Sequence, residues 1–160
     1  MRVLTLVTAL LAAPVAVLGA PAAEPVDALE VRQARRQPPP CVRQNPPPSQ
    51  EVLKQRFDTF VQAFVGAGSR KNITEAFEYI VDDYINHNTM AQNGAKSAWD
   101  ILSGLWHSWE HRYRRSLIRE NMSWVEYDAI GMTIVDRFRW EGGCIAEHVS
   151  IDPNTSWAIS

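Results

Sequence analysis

Asp136 is the residue whose setting most invites chemistry. The segment Met132 to Trp140 alternates strictly: Met132, Ile134, Asp136, Phe138 and Trp140 share one face, and Thr133, Val135, Arg137 and Arg139 share the other. A period of two is that of a strand, so a lone carboxylate falls on an apolar face. An ionised carboxylate buried without a partner is costly, and its pKa rises unless a donor or a cation meets it. A carboxyl group in an apolar cavity suits proton transfer near neutral pH. The plainer alternative is a structural aspartate satisfied by a buried donor such as a His or Trp side chain.

A second motif invites metal chemistry. His107-Ser108-Trp109-Glu110-His111 matches His-x-x-Glu-His, the inverted zinc-protease pattern. Two histidines four apart on a helix share a face that can bind zinc. A solvated polar face opposite the neighbouring tryptophans explains the motif more simply, and no metal or cofactor is expected. Arg112, Arg114 and Arg115 read in the same way, as a solvated helix end.

The elements that must position these residues follow from periodicity. Val52, Phe57, Phe60, Val61 and Phe64 make one apolar stripe, which predicts a helix over 49–65 ended by Gly66 and Gly68. A second helix starts near Asn72, where Asn72 and Glu75 have capping-box spacing, and its stripe is Ile73, Phe77, Ile80, Val81 and Tyr84. It exits through Asn86-His87-Asn88, with Gly94 as a turn residue. Trp99, Leu102, Trp106, Trp109 and Tyr113 predict a third helix over 95–113 with a wide aromatic face. Such a face is more often core than cavity wall. The period then changes to two, giving strands near 114–119, 123–128, 132–140 and 144–151, with Gly142-Gly143 as the last hairpin turn. Three N-terminal helices followed by an antiparallel sheet make an α+β chain.

Composition narrows the function classes. Sixteen basic and 18 acidic residues give a net charge of −2 over 160 residues, which argues against a nucleic-acid binder that works through a broad basic field. Residues 1–22 read as a signal peptide: Arg2, an apolar run from Val3 to Leu18, and the small-x-small site Ala20-Pro21-Ala22. The run is too short for a membrane anchor, so no membrane association is expected after its removal. Residues 23–50 form a proline-rich arm or propeptide; Arg35-Arg36 is a dibasic pair at which a processing protease would cut, the alternative being an uncleaved, solvated linker. The domain proper spans 51–151, and 152–160 are an atypical tail. Asn72, Asn121 and Asn154 begin glycosylation sequons, which fits a secreted protein. Two cysteines are too few for a disulfide scaffold, but in an oxidising compartment Cys41 and Cys144 should bridge and tie the arm to the last hairpin.

Two stretches resemble a known family. Asp82-Asp83-Tyr84-Ile85-Asn86-His87-Asn88 is similar to the Asp-x-Tyr-Ile-x-His-Asn segment of SnoaL-like proteins. Val135 to His148 resembles that family's Val-Asp-x-Phe-Arg-x-Glu-x-Gly-x-Ile-x-Glu-His ending. The family usually continues Trp-Asp, where this chain has Val149-Ser150. The resemblance implies the cone-shaped α+β fold of the nuclear-transport-factor-2 superfamily, with three helices closing a curved antiparallel sheet around a pocket. It implies an aspartate matching Asp136 as acid/base in cofactor-free ring closure or isomerisation, and a histidine matching His87 near the pocket rim.

His87, with Asn88, would then position a substrate carbonyl or pair with Asp136; the alternative is a hydrogen-bonded structural turn. Tyr84, Trp106, Trp109, Phe138 and Trp140 are candidates to shape the pocket. His148 is a further candidate, although Ile145, Val149 and Ile151 argue that it faces the other way. Two functions remain open. One is a cyclase or isomerase of a hydrophobic, carbonyl-bearing natural product. The other is a secreted, non-catalytic small-ligand-binding or host-interaction protein. A homodimer through the outer sheet face is compatible with either.

Overall fold

A computed structural model describes residues 36–68 and 71–151. The expected signal peptide, the start of the arm, the Asn154 sequon and the tail 152–160 lie outside the described residues. Helix α1 spans Gln50–Val65. Ser49 Oγ caps its start by accepting from the Val52 N–H, and Gly66, at φ 76°, closes its end in the left-handed conformation. Its buried stripe is Leu53, Phe57, Phe60, Val61 and Phe64; Val52 stays exposed. Helix α2 is one short turn, Ile73–Phe77, capped by Asn72, whose Oδ1 accepts from the Glu75 N–H.

The first departure from expectation comes next. Ile80, Val81 and Tyr84 are buried as predicted, but they belong to a strand, β1 (Ile80–Asn86), and not to a continuing helix. Strand β1 shifts register between Ile80 and Ile85. That irregularity spaces its buried residues at i, i+1 and i+4, which imitates a helical stripe. Helix α3 (Ala95–Leu105) is also shorter than predicted; a single 3-10 turn, Trp106–Ser108, follows it, and Trp109 is already extended. Just beyond the helix, Lys71 Nζ donates to the carbonyl oxygens of Trp106, at 2.7 Å, and Trp109.

The remaining strands are β2 (His111–Arg119), β3 (Met122–Ala129), β4 (Met132–Glu141) and β5 (Cys144–Ile151). The sheet order is β1-β5-β4-β3-β2, antiparallel throughout except that β1 pairs parallel with β5. The sheet is therefore mixed, and β1 interrupts the run of helices. Arg114 and Arg115 are not a helix end: they lie on β2 and pair across to Asp128 at 2.8 Å and Glu126 at 2.7 Å.

The inner face of β4 carries Ile134, Asp136, Phe138 and Trp140, as the alternation predicts. Helix α1 lies across it. Phe60 meets Phe138 edge-on at 5.0 Å and Trp140 at 6.1 Å, and Phe64 stacks on Trp106 at 4.6 Å. On the β1 edge, the expected Cys41–Cys144 disulfide is present. Around it the arm is hydrogen-bonded down: Cys41 N–H donates to Ile80 O (2.9 Å) and Gln44 N–H to Gly142 O (2.8 Å). Gly142 is required there, because it sits at φ 54° and a Cβ would fall 2.8 Å from the Gln44 backbone.

Candidate functional site

Three strands converge on Asp136. It is 2% exposed and sits at the inner end of a cavity of about 370 Å³ bounded by α3, the 3-10 turn and the sheet. Tyr127 on β3 donates its hydroxyl to Oδ2 at 2.7 Å, and Ser150 on β5 donates to Oδ1 at 2.7 Å. His148 Nε2 lies 2.9 Å from Oδ1, an ion-pair contact too oblique to count as a directed hydrogen bond. Nε2 therefore retains hydrogen-bonding capacity. Burial alone would raise the Asp136 pKa, but the adjacent His148 and the hydroxyl donors of Ser150 and Tyr127 outweigh it and bring it below the usual aspartate value. The resting group is a carboxylate.

The protonation of His148 follows from its other nitrogen. Nδ1 lies 3.3 Å from Asn86 Oδ1. The orientation of Asn86 is fixed, because its Nδ2 donates to the carbonyls of Asn88 (3.0 Å) and Ala91 (2.7 Å) while Oδ1 accepts from the Asn88 N–H. Oδ1 can only accept, so Nδ1 carries a proton. A bare Nε2 would then turn its lone pair on a carboxylate oxygen. A proton between Nε2 and the Asp136 carboxylate would satisfy both groups. Phe138 and Tyr84 stack on the two sides of the ring, at 5.0 and 6.5 Å, and hold its plane.

A register change brings His148 inward. Arg139 pairs with Glu147, but Trp140 pairs with Ile145, so Ala146 is an extra residue in β5. On either side of it, Ile145 and His148 face the same way even though their spacing is odd. Val149 and Ile151 face outward opposite Arg137 and Val135. Simple alternation from Ile145 therefore gives the wrong face for His148.

His87 does not reach Asp136. Its neighbour Asn86 points inward, so His87 points out. It is exposed, with Nε2 2.8 Å from Glu147 Oε1 on the far side of β5. Asn88 lines the cavity, yet its Oδ1 is committed to the Met90 N–H at 2.9 Å, so it shapes the turn. Tyr84, Trp106 and Trp109 line the cavity together with His148 and Asp136. Burial and the Asp136 charge push the Tyr84 phenol up, so it stays neutral. Phe138 and Trp140 do not line the cavity. Phe138 backs His148, and Trp140 is sealed in the core with its Nε1–H on Ser123 Oγ at 2.8 Å. Tyr127 and Ser150 are the functional residues the sequence reasoning missed. Tyr127 alternates with Val125 and Ala129 on β3, a visible signal, but pairing it with Asp136 needs the strand register.

Behind the 3-10 turn, His111 Nδ1 lies 2.7 Å from Lys71 Nζ and 2.9 Å from the Trp109 carbonyl oxygen. Burial first and the Lys71 charge second lower the His111 pKa to about 4, so this ring is neutral. With α3 ended at Leu105, His107 and His111 share no helix face, and among the described residues no cluster of three or more His, Cys, Asp or Glu side chains could hold a metal ion. Asn72 is half-buried as a helix cap, whereas Asn121 is exposed in the β2–β3 turn. No helix among the described residues is long and apolar enough to cross a membrane.

No family profile and no curated protein matches the sequence. Solved structures do match the fold. A SnoaL-like protein of unknown function from Burkholderia thailandensis is 11% identical, covers 66% of this chain and 98% of its own, and superposes with a TM-score of 0.50. An NTF2-like protein of unknown function from Cytophaga hutchinsonii is 15% identical over 66% of this chain and 94% of its own, with a TM-score of 0.49. A putative polyketide cyclase from Xanthomonas campestris is 13% identical over 68% and 95%, with a TM-score of 0.49. Helices closing one face of a five-stranded mixed sheet are thus a fold this chain shares with the SnoaL-like protein of Burkholderia thailandensis.

Proposed function

We propose that the protein is a secreted, cofactor-independent cyclase or isomerase acting on a hydrophobic, carbonyl-bearing small molecule. The observation that carries this reading is a buried carboxylate, held ionised by three partners, at the inner end of an apolar cavity. Fold alone decides nothing here. The Asp136 carboxylate removes a proton from the carbon next to the substrate carbonyl, and the C–H electron pair moves onto oxygen as an enolate. In an isomerisation the same proton returns to another carbon. In a ring closure the enolate carbon attacks a second carbonyl, and the new alkoxide takes the proton from Asp136. His148, cationic beside Asp136, balances the developing negative charge. Its cavity neighbours Tyr84, Trp106 and Trp109 shape the apolar walls.

One observation favours a second reading. Both Asp136 oxygens already accept hydrogen bonds, and a carboxylate so well satisfied is also what a purely structural role would produce. On that reading the protein is a non-catalytic secreted ligand-binding or host-interaction protein. Solvent-deuterium exchange separates the two. The wild type should accelerate exchange at the activated carbon of a hydrophobic 1,3-diketone such as 1-phenyl-1,3-butanedione. Exchange no faster than in buffer, with the diketone bound, would support the binder. The Cys41–Cys144 disulfide is consistent with secretion. Glycans on Asn72, Asn121 and Asn154, cleavage at Arg35-Arg36 and dimerisation belong to the same proposal.

A further inference from the structure

The mouth of the cavity is built in an unusual way. Strands β3 and β4 are joined by a two-residue turn, Ile130-Gly131, between the paired residues Ala129 and Met132. Both turn residues have positive φ, 47° at Ile130 and 80° at Gly131. A turn of this kind favours Asn-Gly, and a β-branched side chain rarely adopts its first position. Here the strained residue is an isoleucine whose side chain is both part of the cavity wall and 54% exposed. Two further exposed apolar side chains line the same cavity, Met132 at 56%, the residue after the turn, and Met90 at 68%, from the loop after β1. Backbone strain combined with exposed apolar surface, at one end of a cavity whose other end holds an ion pair, points to a ligand contact.

We infer that Ile130, Met132 and Met90 form an apolar collar that binds the hydrocarbon tail of an elongated amphiphilic ligand. The inference rests on the reading of Asp136 and His148 as the polar end of the ligand site. Asp136 and Met132 are four residues apart on one face of β4, or about 13 Å at the rise of a strand. At roughly 1.3 Å per bond an extended chain needs about ten carbons to reach from one to the other. The ligand class is therefore a carbonyl compound with a medium-length aliphatic tail, not a compact ring that fits wholly inside. The two methionines, unbranched and polarisable, suit a tail of variable shape.

The experiment is a chain-length series. Binding of the 2-alkanones from 2-hexanone to 2-tetradecanone is followed by the fluorescence of the wall tryptophans Trp106 and Trp109. The wild type should gain up to about fourfold in affinity per methylene until the tail passes the collar, near ten carbons, and then level off. Ile130→Asn suits the turn better than isoleucine, so its Tm should hold or rise. It should nevertheless bind the long ketones roughly tenfold more weakly, with 2-hexanone unchanged. Met132→Gln should show the same selective loss. A flat series in the wild type would overturn the collar, as would identical series in the wild type and Ile130→Asn. Loss of self-association in Ile130→Asn, with no effect of tail length, would reassign the patch to contact between copies and also overturn it. Asp136→Asn should keep the chain-length slope, so failure of the collar and failure of proton transfer at Asp136 give different results.

Discussion

Trp140 and Met132 lie on the same face of one strand in opposite surroundings. At the Trp140 end, α1 closes over the sheet, the arm is bonded to the last hairpin, and the disulfide fastens the edge. Phe57, Phe60 and Trp140 are buried there, Trp140 itself 2% exposed. At the Met132 end the strand borders the cavity, whose wall there carries the exposed apolar residues Ile130 and Met132. Asp136 sits between the two. Its donors come from the packed framework of β3 and β5, and its free side looks into the cavity. The contrast separates two tasks along one strand. One end supplies stability, which fixes the carboxylate and its partners, and on the proposed function the other end serves the ligand.

The largest effect should come from releasing the packed end. Cys41 and Cys144 are 103 residues apart, and loop-closure entropy for a ring of that size is worth about 4–5 kcal/mol. Cys41→Ser should lower unfolding stability by about that amount, measured by denaturant titration, and leave ligand affinity little changed in the protein that remains folded. If affinity fell in parallel, the two ends would not be separate.

A smaller effect should come from the boundary. Ser150→Ala removes one donor from a charged acceptor and should cost about 1.5–3 kcal/mol. Without that donor the Asp136 pKa should move up. A carboxylate with a depressed pKa contributes stability that is present above its unfolded value and lost as pH falls through its folded value. In Ser150→Ala that contribution should be smaller at neutral pH, and its loss should begin at higher pH. A pH–stability profile that superposes on the wild type would show that Ser150 does not tune Asp136.

The mildest effect should come from the hinge between helix and sheet. His111 titrates at about 4 in the fold and near 6.5 when unfolded, so the unfolded chain binds the proton first. This contribution to stability is complete above pH 6.5 and declines as pH falls toward 4. The Tm should begin to drop between pH 6.5 and 5, before most carboxylates titrate, and His111→Gln should flatten that limb. A Tm limb unchanged by His111→Gln would remove His111 from the account.

The sequence reveals the two ends of β4 unequally. The alternation from Met132 to Trp140 is unbroken, so the inner face, and Asp136 on it, can be read directly. Helix α1 is equally legible, because four turns of one apolar stripe leave no competing period. Elsewhere irregular strands defeat the pattern. The register shift in β1 spaces Ile80, Val81 and Tyr84 like a helix, and the extra residue Ala146 turns His148 to the face that alternation denies it. Helix α3 stops before the aromatic stripe does, and Lys71, far away in sequence, bonds the carbonyls of Trp106 and Trp109 in the segment that follows it. His87 points away from Asp136 toward Glu147; a resemblance supplies a histidine near a rim but not the direction of its side chain. Tyr127 and Ser150 are hidden for another reason: each meets Asp136 from a different strand, and only the register brings them together.

The central claim is that Asp136 moves a proton. Its most direct test is to measure exchange of solvent deuterium into a bound hydrophobic 1,3-diketone for the wild type and for Asp136→Asn, with diketone affinity measured alongside. The predicted result is a rate roughly 10²- to 10⁴-fold lower in Asp136→Asn, with the diketone still bound. Equal exchange by the two proteins, at equal occupancy, would contradict it.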